Sequence, residues 1–362
     1  MAVGIGVGRF VYTPILPSMM AEFGLSKFVS GLIASANFVG YLVGALAATR
    51  ATLPGPARAW LPGALALSAV TTAAMGATDS VPAFIALRFA GGIASALALI
   101  LASALVLDRL ARVGRPGLAA LHFSGVGVGI TVSAALVATQ LSAGADSAGM
   151  WQACGVVSLL GAAAVAWLVP APLAPAAAAS QTASTGFDRR LARMAAAYGL
   201  FGFGYVITAT FLVAIVRATP AIQALEPVIW IVVGLAAAPS VTFWTFLGRR
   251  IGTQTAFAVA AATEAVGVLA SVLWPDMVGI SVAAVLLGGT FMGLTALGLL
   301  RGRELAQGDP RPVMAALTVA FGIGQIVGPV LAGLLSDALG SFTVPSLLAA
   351  AGLVMAAWLA RR

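Results

Sequence analysis

Along this chain the polar residues neither alternate with the apolar ones nor recur at the spacing of a soluble amphipathic helix; they are gathered into short gaps between long apolar blocks. The blocks run approximately over residues 1–20, 30–49, 60–76, 81–107, 118–141 and 150–169. A second set follows at 195–216, 228–247, 255–274, 278–300, 313–335 and 342–360. A hydrocarbon layer roughly 30 Å thick needs about 20 apolar helical residues to cross it, and the blocks recur at about that length. Backbone exposed to lipid must satisfy its own hydrogen bonds, and no block alternates as a barrel strand would. The pattern therefore predicts an all-α membrane protein with twelve transmembrane helices.

Composition agrees: 61% of the residues are hydrophobic and only 8% charged, more apolar surface than a soluble core absorbs. The net charge of +8 would suggest nucleic acid in a soluble protein, but the placement of the charges decides against it. With a cytoplasmic N-terminus, the inside gaps hold Arg50, Arg58, Arg109, Arg112, Arg115, Arg189, Arg190, Arg193, Arg249, Arg250, Arg301, Arg303 and Arg311, and the tail holds Arg361 and Arg362. The outside gaps hold Lys27 and Arg217. This is the positive-inside signature over all twelve crossings, with both termini cytoplasmic. Glu22, Asp79, Asp146, Glu226, Asp276 and Asp337 fall in outside gaps or at outer helix ends.

Residue counts exclude several chemistries. Cys154 is the single cysteine and His122 the single histidine, which removes an intrachain disulfide, thiolate clusters, zinc-protease centres and Ser-His-Asp catalysis. Lys27 is the sole lysine and sits in LSKFVS, so no phosphate-binding loop with its lysine exists to bind ATP. No enzyme, cofactor or metal site is expected. The first block lacks a basic leader and a small-residue cleavage site, and it is short ahead of Arg9. From that shortness we expect the native start codon to lie upstream of Met1.

Residues 170–190, PAPLAPAAAASQTASTGFDRR, form the longest weakly apolar gap. It suggests an N-terminal half over 1–169, a cytoplasmic linker over 170–194 and a C-terminal half over 195–362. The halves repeat one another. GVGRFVYT from Gly6 matches GFGYVITA from Gly202 at an offset of 196. At 197, Gly91, Gly92 and Leu97 fall on Gly288, Gly289 and Leu294, and Gly125 and Gly127 on Gly322 and Gly324. Two six-helix units in the same orientation are a parallel duplication.

These residues resemble a known family. LRFAGGIASA places Arg88, Gly91 and Gly92 as in the fourth-helix motif of the major facilitator superfamily. GRFVYTPILP, ASANFVGYLVGAL, FSGVGVGI and FGIGQIVGPVLAGLLSD resemble its YbfB/YjiJ-like branch, across essentially the whole chain. The resemblance implies the major facilitator fold and secondary transport, with no substrate attached. Two patterns depart from the superfamily. After Gly44 the loop carries Ala48, Thr49 and Arg50 without the usual gating aspartate, and the Gly-Pro pair of the antiporter motif is missing from helix 5 but present as Gly328–Pro329 in helix 11.

Charge inside a membrane is expensive and marks function by default. Arg9, Arg88 and Glu264 are the three such residues. Arg9, with Tyr12 and Thr13 one turn on, makes a donor-rich patch fit to grip a carboxylate; the competing reading is a structural arginine capping carbonyls freed by Pro14 and Pro17. Tyr205 occupies the equivalent place in the second half. By resemblance Arg88 is the arginine associated with proton coupling, against an alternative of snorkelling to the outer surface. Glu264 is the lone intramembrane carboxylate and can carry a coupling proton, or simply bond to a neighbour. His122, with an ordinary imidazole pKa of about 6.5, can relay protons or sit idle at the interface. Asn37, Thr208, Thr290 and Gln325 fall on helices 2, 7, 10 and 11, which line the central cavity in this architecture; they bind cargo or merely join helices.

The sequence thus reads as a secondary transporter of the cell membrane, the inner membrane in a two-membrane bacterium, working by alternating access. Two arginines against one glutamate point to a small anionic or zwitterionic organic solute, moved with protons. Its partners are that solute, the proton and the lipid bilayer, with no nucleic acid and no ATP. Export of hydrophobic drugs is the rival within transport, and a non-transporting membrane sensor the rival outside it.

Overall fold

The computed structural model describes residues 1–50, 57–169, 188–306 and 309–361. It is helical throughout the elements that this range contains: α1 (Tyr12–Phe23), α2 (Lys27–Arg50), α3 (Ala57–Ala74), α4 (Val81–Arg112), α5 (Ala119–Ser142), α6 (Ser147–Leu168), α7 (Arg189–Ala218), α8 (Glu226–Ile251), α9 (Thr253–Leu273), α10 (Met277–Leu305), α11 (Pro310–Leu339) and α12 (Thr343–Arg361). Among the described residues, eleven helices are long and apolar enough to cross a membrane.

The aspartates expelled to the gaps explain where several helices begin. Asp146, Asp188, Asp276 and Asp309 each stand at an N-cap, and their carboxylates accept from the N–H groups of Gly149, Leu191, Val278 with Gly279, and Arg311. A side-chain acceptor there satisfies amides that the helix leaves open. The N–H of Gly279 chiefly holds the Asp276 carboxyl below the ordinary aspartate range, and the Arg311 side chain chiefly does so for Asp309. Asp188 also sets the start of α7 at Arg189, so residues 189–194, expected in the linker, are helical. The rest of that linker, 170–187, lies outside the described residues.

The first block is not the single helix that its hydropathy predicts. Ala2–Val7 is a π-helix, a turn follows, and α1 starts only at Tyr12. The N–H of Gly8 donates to the Val3 carbonyl five residues back, at 2.9 Å. Three glycines, Gly4, Gly6 and Gly8, weaken the α-helical preference here, and Pro14 has no N–H to return to the Phe10 carbonyl. The π-turn packs flat on α5, where a β-carbon on Gly6 would overlap the backbone of Gly129.

Packing repeats along the chain. The π-helix lies on α5, α2 on α4 and α3 on α6; six helices later α7 lies on α11, α8 on α10 and α9 on α12. The first six and last six helices then meet along α2–α11, α5–α8 and α1–α7. Glycine permits the first two of these seams. A β-carbon on Gly31 would overlap the Pro329 carbonyl, one on Gly333 the Lys27 carbonyl, and those on Gly127 and Gly234 the backbones of Ala238 and Thr131.

One end of the α2–α11 seam carries a polar fastening. The N–H groups of Lys27 and Phe28, the first residues of α2, donate to the two carboxylate oxygens of Asp337 at 3.0 and 2.8 Å. Lys27 Nζ donates to the Ser336 carbonyl at 3.0 Å and lies over the Phe342 ring. At the same end Arg217 of α7 reaches Ser18 of α1 and pairs with Glu226 at 3.4 Å, while Glu22 accepts from Ser147. Deeper in the seams, Ser35 Oγ donates to the Ile326 carbonyl and Thr13 Oγ1 to the Ala209 carbonyl, both at 2.7 Å.

Candidate functional site

The break in the first block decides what its charges do. Arg88 Nη1 and Nη2 donate to the carbonyls of Gly8 and Arg9 at 3.3 and 3.2 Å, on the turn between the π-helix and α1. Arg88 is therefore the residue that caps the irregular turn, and its guanidinium also stacks on Tyr12 at 5.0 Å. It is buried and does not reach a surface as a snorkelling side chain would. The Gly8 and Arg9 carbonyls are not the ones that Pro14 and Pro17 release, which belong to Phe10 and Thr13.

Arg9 is only 7% exposed, and its Nε and Nη2 have no hydrogen-bond partner. Its guanidinium lies 4.7 Å from the Phe38 ring centroid and 4.4 Å from that of Tyr41. The two residues are three apart on α2, so one helical face supplies both rings. An aromatic face attracts a cation but consumes none of its in-plane N–H donors. The arrangement thus holds a desolvated cation with donors in reserve. Burying such a group is costly unless something pairs with it.

Facing this arginine is a layer of rings from the last six helices. Tyr205 of α7 lies nearly parallel to Phe291 of α10 and to Phe321 of α11, at centroid distances of 5.8 Å each, and Phe10 meets Phe291 edge-on at 5.5 Å. Gln325 Nε2 donates to the Tyr205 hydroxyl, while Gln325 Oε1 is buried without a donor. The cavity beside Arg9 is small, about 20 Å³, and is lined also by Thr13, Phe38, Arg88 and Thr210. That is room for roughly one water, so the site is closed down in this conformation.

The remaining sequence candidates divide. Tyr12 and Thr13 border the cavity, yet each is engaged, Tyr12 Oη donating to the Ser30 carbonyl at 2.8 Å and Thr13 to Ala209. Asn37 Nδ2 donates to the Arg88 carbonyl at 2.9 Å, tying α2 to α4 behind the arginines, with Oδ1 left open. Thr208 is buried with an unpartnered hydroxyl. His122 is set apart, its neighbours being Ser103, 3.5 Å from Nε2, and Phe123.

Glu264 of α9 is wholly buried, and neither carboxylate oxygen has a geometric hydrogen-bond donor. Thr290 stands beside it and Tyr205 is within its electrostatic reach. The Thr290 hydroxyl spends its proton on the Leu286 carbonyl at 2.6 Å and has none to give the carboxyl. Glu264 thus has Thr290 beside it, while Gln325 is bonded to Tyr205 within the ring layer.

The aromatic partners were missed by a reading that looked for charge. Phe38 and Tyr41 at i and i+3, and Phe321 and Gln325 at i and i+4, carry a spacing that would have placed each pair on one helix face. Of the gap motif after Gly44, the Thr49 and Arg50 side chains lie outside the described residues.

Comparison with known proteins follows this geometry. Residues 1–361 match the family described as uncharacterised MFS-type transporter YbfB. Among solved structures, the chain is similar to the nucleoside transporter NupG (TM-score 0.70, 14% identity, 99% of this chain and 96% of that one) and to a point mutant of it (0.73, 14%, 99% and 98%). It is also similar to a D-xylose-proton symporter (TM-score 0.75, 13% identity, 99% and 95%). At these identities the likeness is one of fold. Among curated proteins none matches.

Proposed function

The chain belongs to the YbfB-type family of major facilitator transporters, and from that premise we propose that it carries a small anionic or zwitterionic organic solute, coupled to protons, by alternating access. It is a transporter and not an enzyme. Residues 1–169 and 195–362 form two six-helix halves that rock about the α1–α7, α2–α11 and α5–α8 seams. The π-helix and α1 together make the first of twelve crossings. The arginine-rich gaps face the cytoplasm, and both termini lie there.

The observation that carries the cargo class is the buried guanidinium of Arg9 with two donors unspent. A carboxylate entering between α2 and the Tyr205–Phe291–Phe321 layer would take both, because guanidinium and carboxylate match as a fork. The rings would bear on the apolar part of the solute, and Gln325, Thr208 and Thr290 would supply neutral hydrogen bonds. Tyr12, Thr13 and Asn37 shape the site from the first half. Arg88 positions Arg9 by holding the turn that carries it.

Glu264 is the proton carrier in this scheme. A buried carboxyl without donors, beside Thr290 and within the electrostatic field of Tyr205, is suited to exchange a proton when the site opens. The lone His122 offers a separate relay on α5.

The experiment is the melting temperature of the purified protein against a panel of organic acids, amino acids, neutral solutes and lipophilic cations. A ligand that binds only the folded state raises it by mass action. We expect stabilisation by an organic acid or amino acid that is lost in Arg9→Gln and partly kept in Arg9→Lys. Stabilisation confined to lipophilic cations, or unchanged in Arg9→Gln, would reject the reading.

A further inference from the structure

Away from the central site, a second cavity of about 290 Å³ opens where α7 and α9 begin and α10 and α12 end. Its size is near the lower limit of sites that hold small ligands. The lining is sharply divided. Arg190, Arg193, Arg301 and Gln254 form its polar part, and Met194, Leu305, Leu359 and Ala360 its apolar part, with no acid among the described lining residues.

Each polar group is brought there by helix geometry. Arg190 and Arg193 stand three apart in the first two turns of α7, so they share a face. Gln254 is the second residue of α9, whose N-cap Gly252 offers no side-chain acceptor. Arg301 comes from the last turns of α10, where its Nη2 donates to Gln254 Oε1 at 3.0 Å and its Nη1 pairs with Glu304 at 2.9 Å. Glu304 also accepts from Thr253 Oγ1 at 2.5 Å. Three guanidinium groups, those of Arg190, Arg193 and Arg301, thus converge on one cavity wall. The partial positive charge at the start of α9 adds to theirs.

We propose that this cavity binds a phosphate ester, with the three guanidiniums around the phosphate and the Met194, Leu305 and Leu359 side chains against the attached carbon chain. Guanidinium forks match phosphate as they do carboxylate. The apolar floor adds a requirement that free phosphate does not meet. An anionic phospholipid headgroup meets both, and basic pockets between helix ends are where such headgroups bind. The site is distinct from the cargo cavity, since the two share no lining residue.

The test uses the full chain in a neutral detergent, with melting temperature read against dihexanoyl phosphatidylglycerol, dihexanoyl phosphatidylcholine and inorganic phosphate. We expect the glycerol lipid to stabilise the protein and the choline lipid not to, with apparent affinity for the former falling on the order of tenfold in the Arg190→Gln/Arg193→Gln double variant. Stabilisation by inorganic phosphate that falls in the same variant would support the phosphate site and assign it a soluble ligand. Arg249→Gln, which removes a charge from the end of α8 outside this cavity, should behave as the unsubstituted protein. Should the double variant fold poorly, Arg301→Gln serves with the same readout. No shift with either phosphate compound, or equal shifts in the cavity variants, would overturn the proposal.

Discussion

Asp337→Ala should loosen one entrance to the central site by a calculable amount. The carboxylate takes the first two N–H groups of α2, at 3.0 and 2.8 Å, although it belongs to α11. It acts as an N-cap supplied by another helix. Removing such a cap costs typically about 1 kcal/mol, and because the bond spans the seam, the loss falls on the closed arrangement alone. That energy corresponds to roughly a fivefold rise in the open population. Lys27 Nζ remains on the Ser336 carbonyl and the glycine contacts at Gly31 and Gly333 remain in place, so the seam should weaken without coming apart. The assay is the alkylation rate of Ala34→Cys in a Cys154→Ser background, since Ala34 borders the cavity and is 2% exposed. When reclosure is faster than labelling, the rate follows the open population. Asp337→Asn keeps a capping oxygen and should change the rate less. An unchanged rate in Asp337→Ala would refute the fastening.

Further outcomes follow from other contacts. Gly234→Ala would press a methyl group into the Thr131 backbone across the α5–α8 seam, and overpacking of this kind costs about 1–3 kcal/mol, read as a lower melting temperature. Arg88→Gln removes two charge-assisted bonds to the turn at Gly8 and Arg9, with a loss of about 2 kcal/mol expected by the same measurement and partial recovery in Arg88→Lys. Asp276 and Asp309 titrate below the ordinary aspartate value in the folded protein, so their stabilisation is present above about pH 4 and lost as the pH falls through their lowered values. Asp276→Ala should therefore flatten the fall in melting temperature on acidification, and an unaltered acid profile would contradict its capping role.

Helix positions were legible because lipid demands long apolar blocks, whereas the aspartates in the gaps showed only their place along the chain, and their capping of four helices comes from the structure. The break in the first block was signalled only faintly, by Gly4, Gly6, Gly8 and Pro14; hydropathy does not distinguish a π-turn from an α-turn. Arg9 stood out as charge in an apolar run. That its Nε and Nη2 are unspent, and that Arg88 instead holds the turn at Gly8 and Arg9, are facts that exist only in three dimensions. Asp337 was legible only as an acid at an outer helix end, and its capture of α2 joins residues 309 and 310 positions apart. Local patterns carry no record of such partners.

The most direct measurement is uptake into proteoliposomes of the organic acid selected by the melting panel, with internal pH recorded alongside. The account predicts flux accompanied by proton movement in the unsubstituted protein, no flux in Arg9→Gln, and in Glu264→Gln cargo exchange at equilibrium without response to a pH gradient. Flux that survives Arg9→Gln undiminished, or pH-driven accumulation that survives Glu264→Gln, would contradict it.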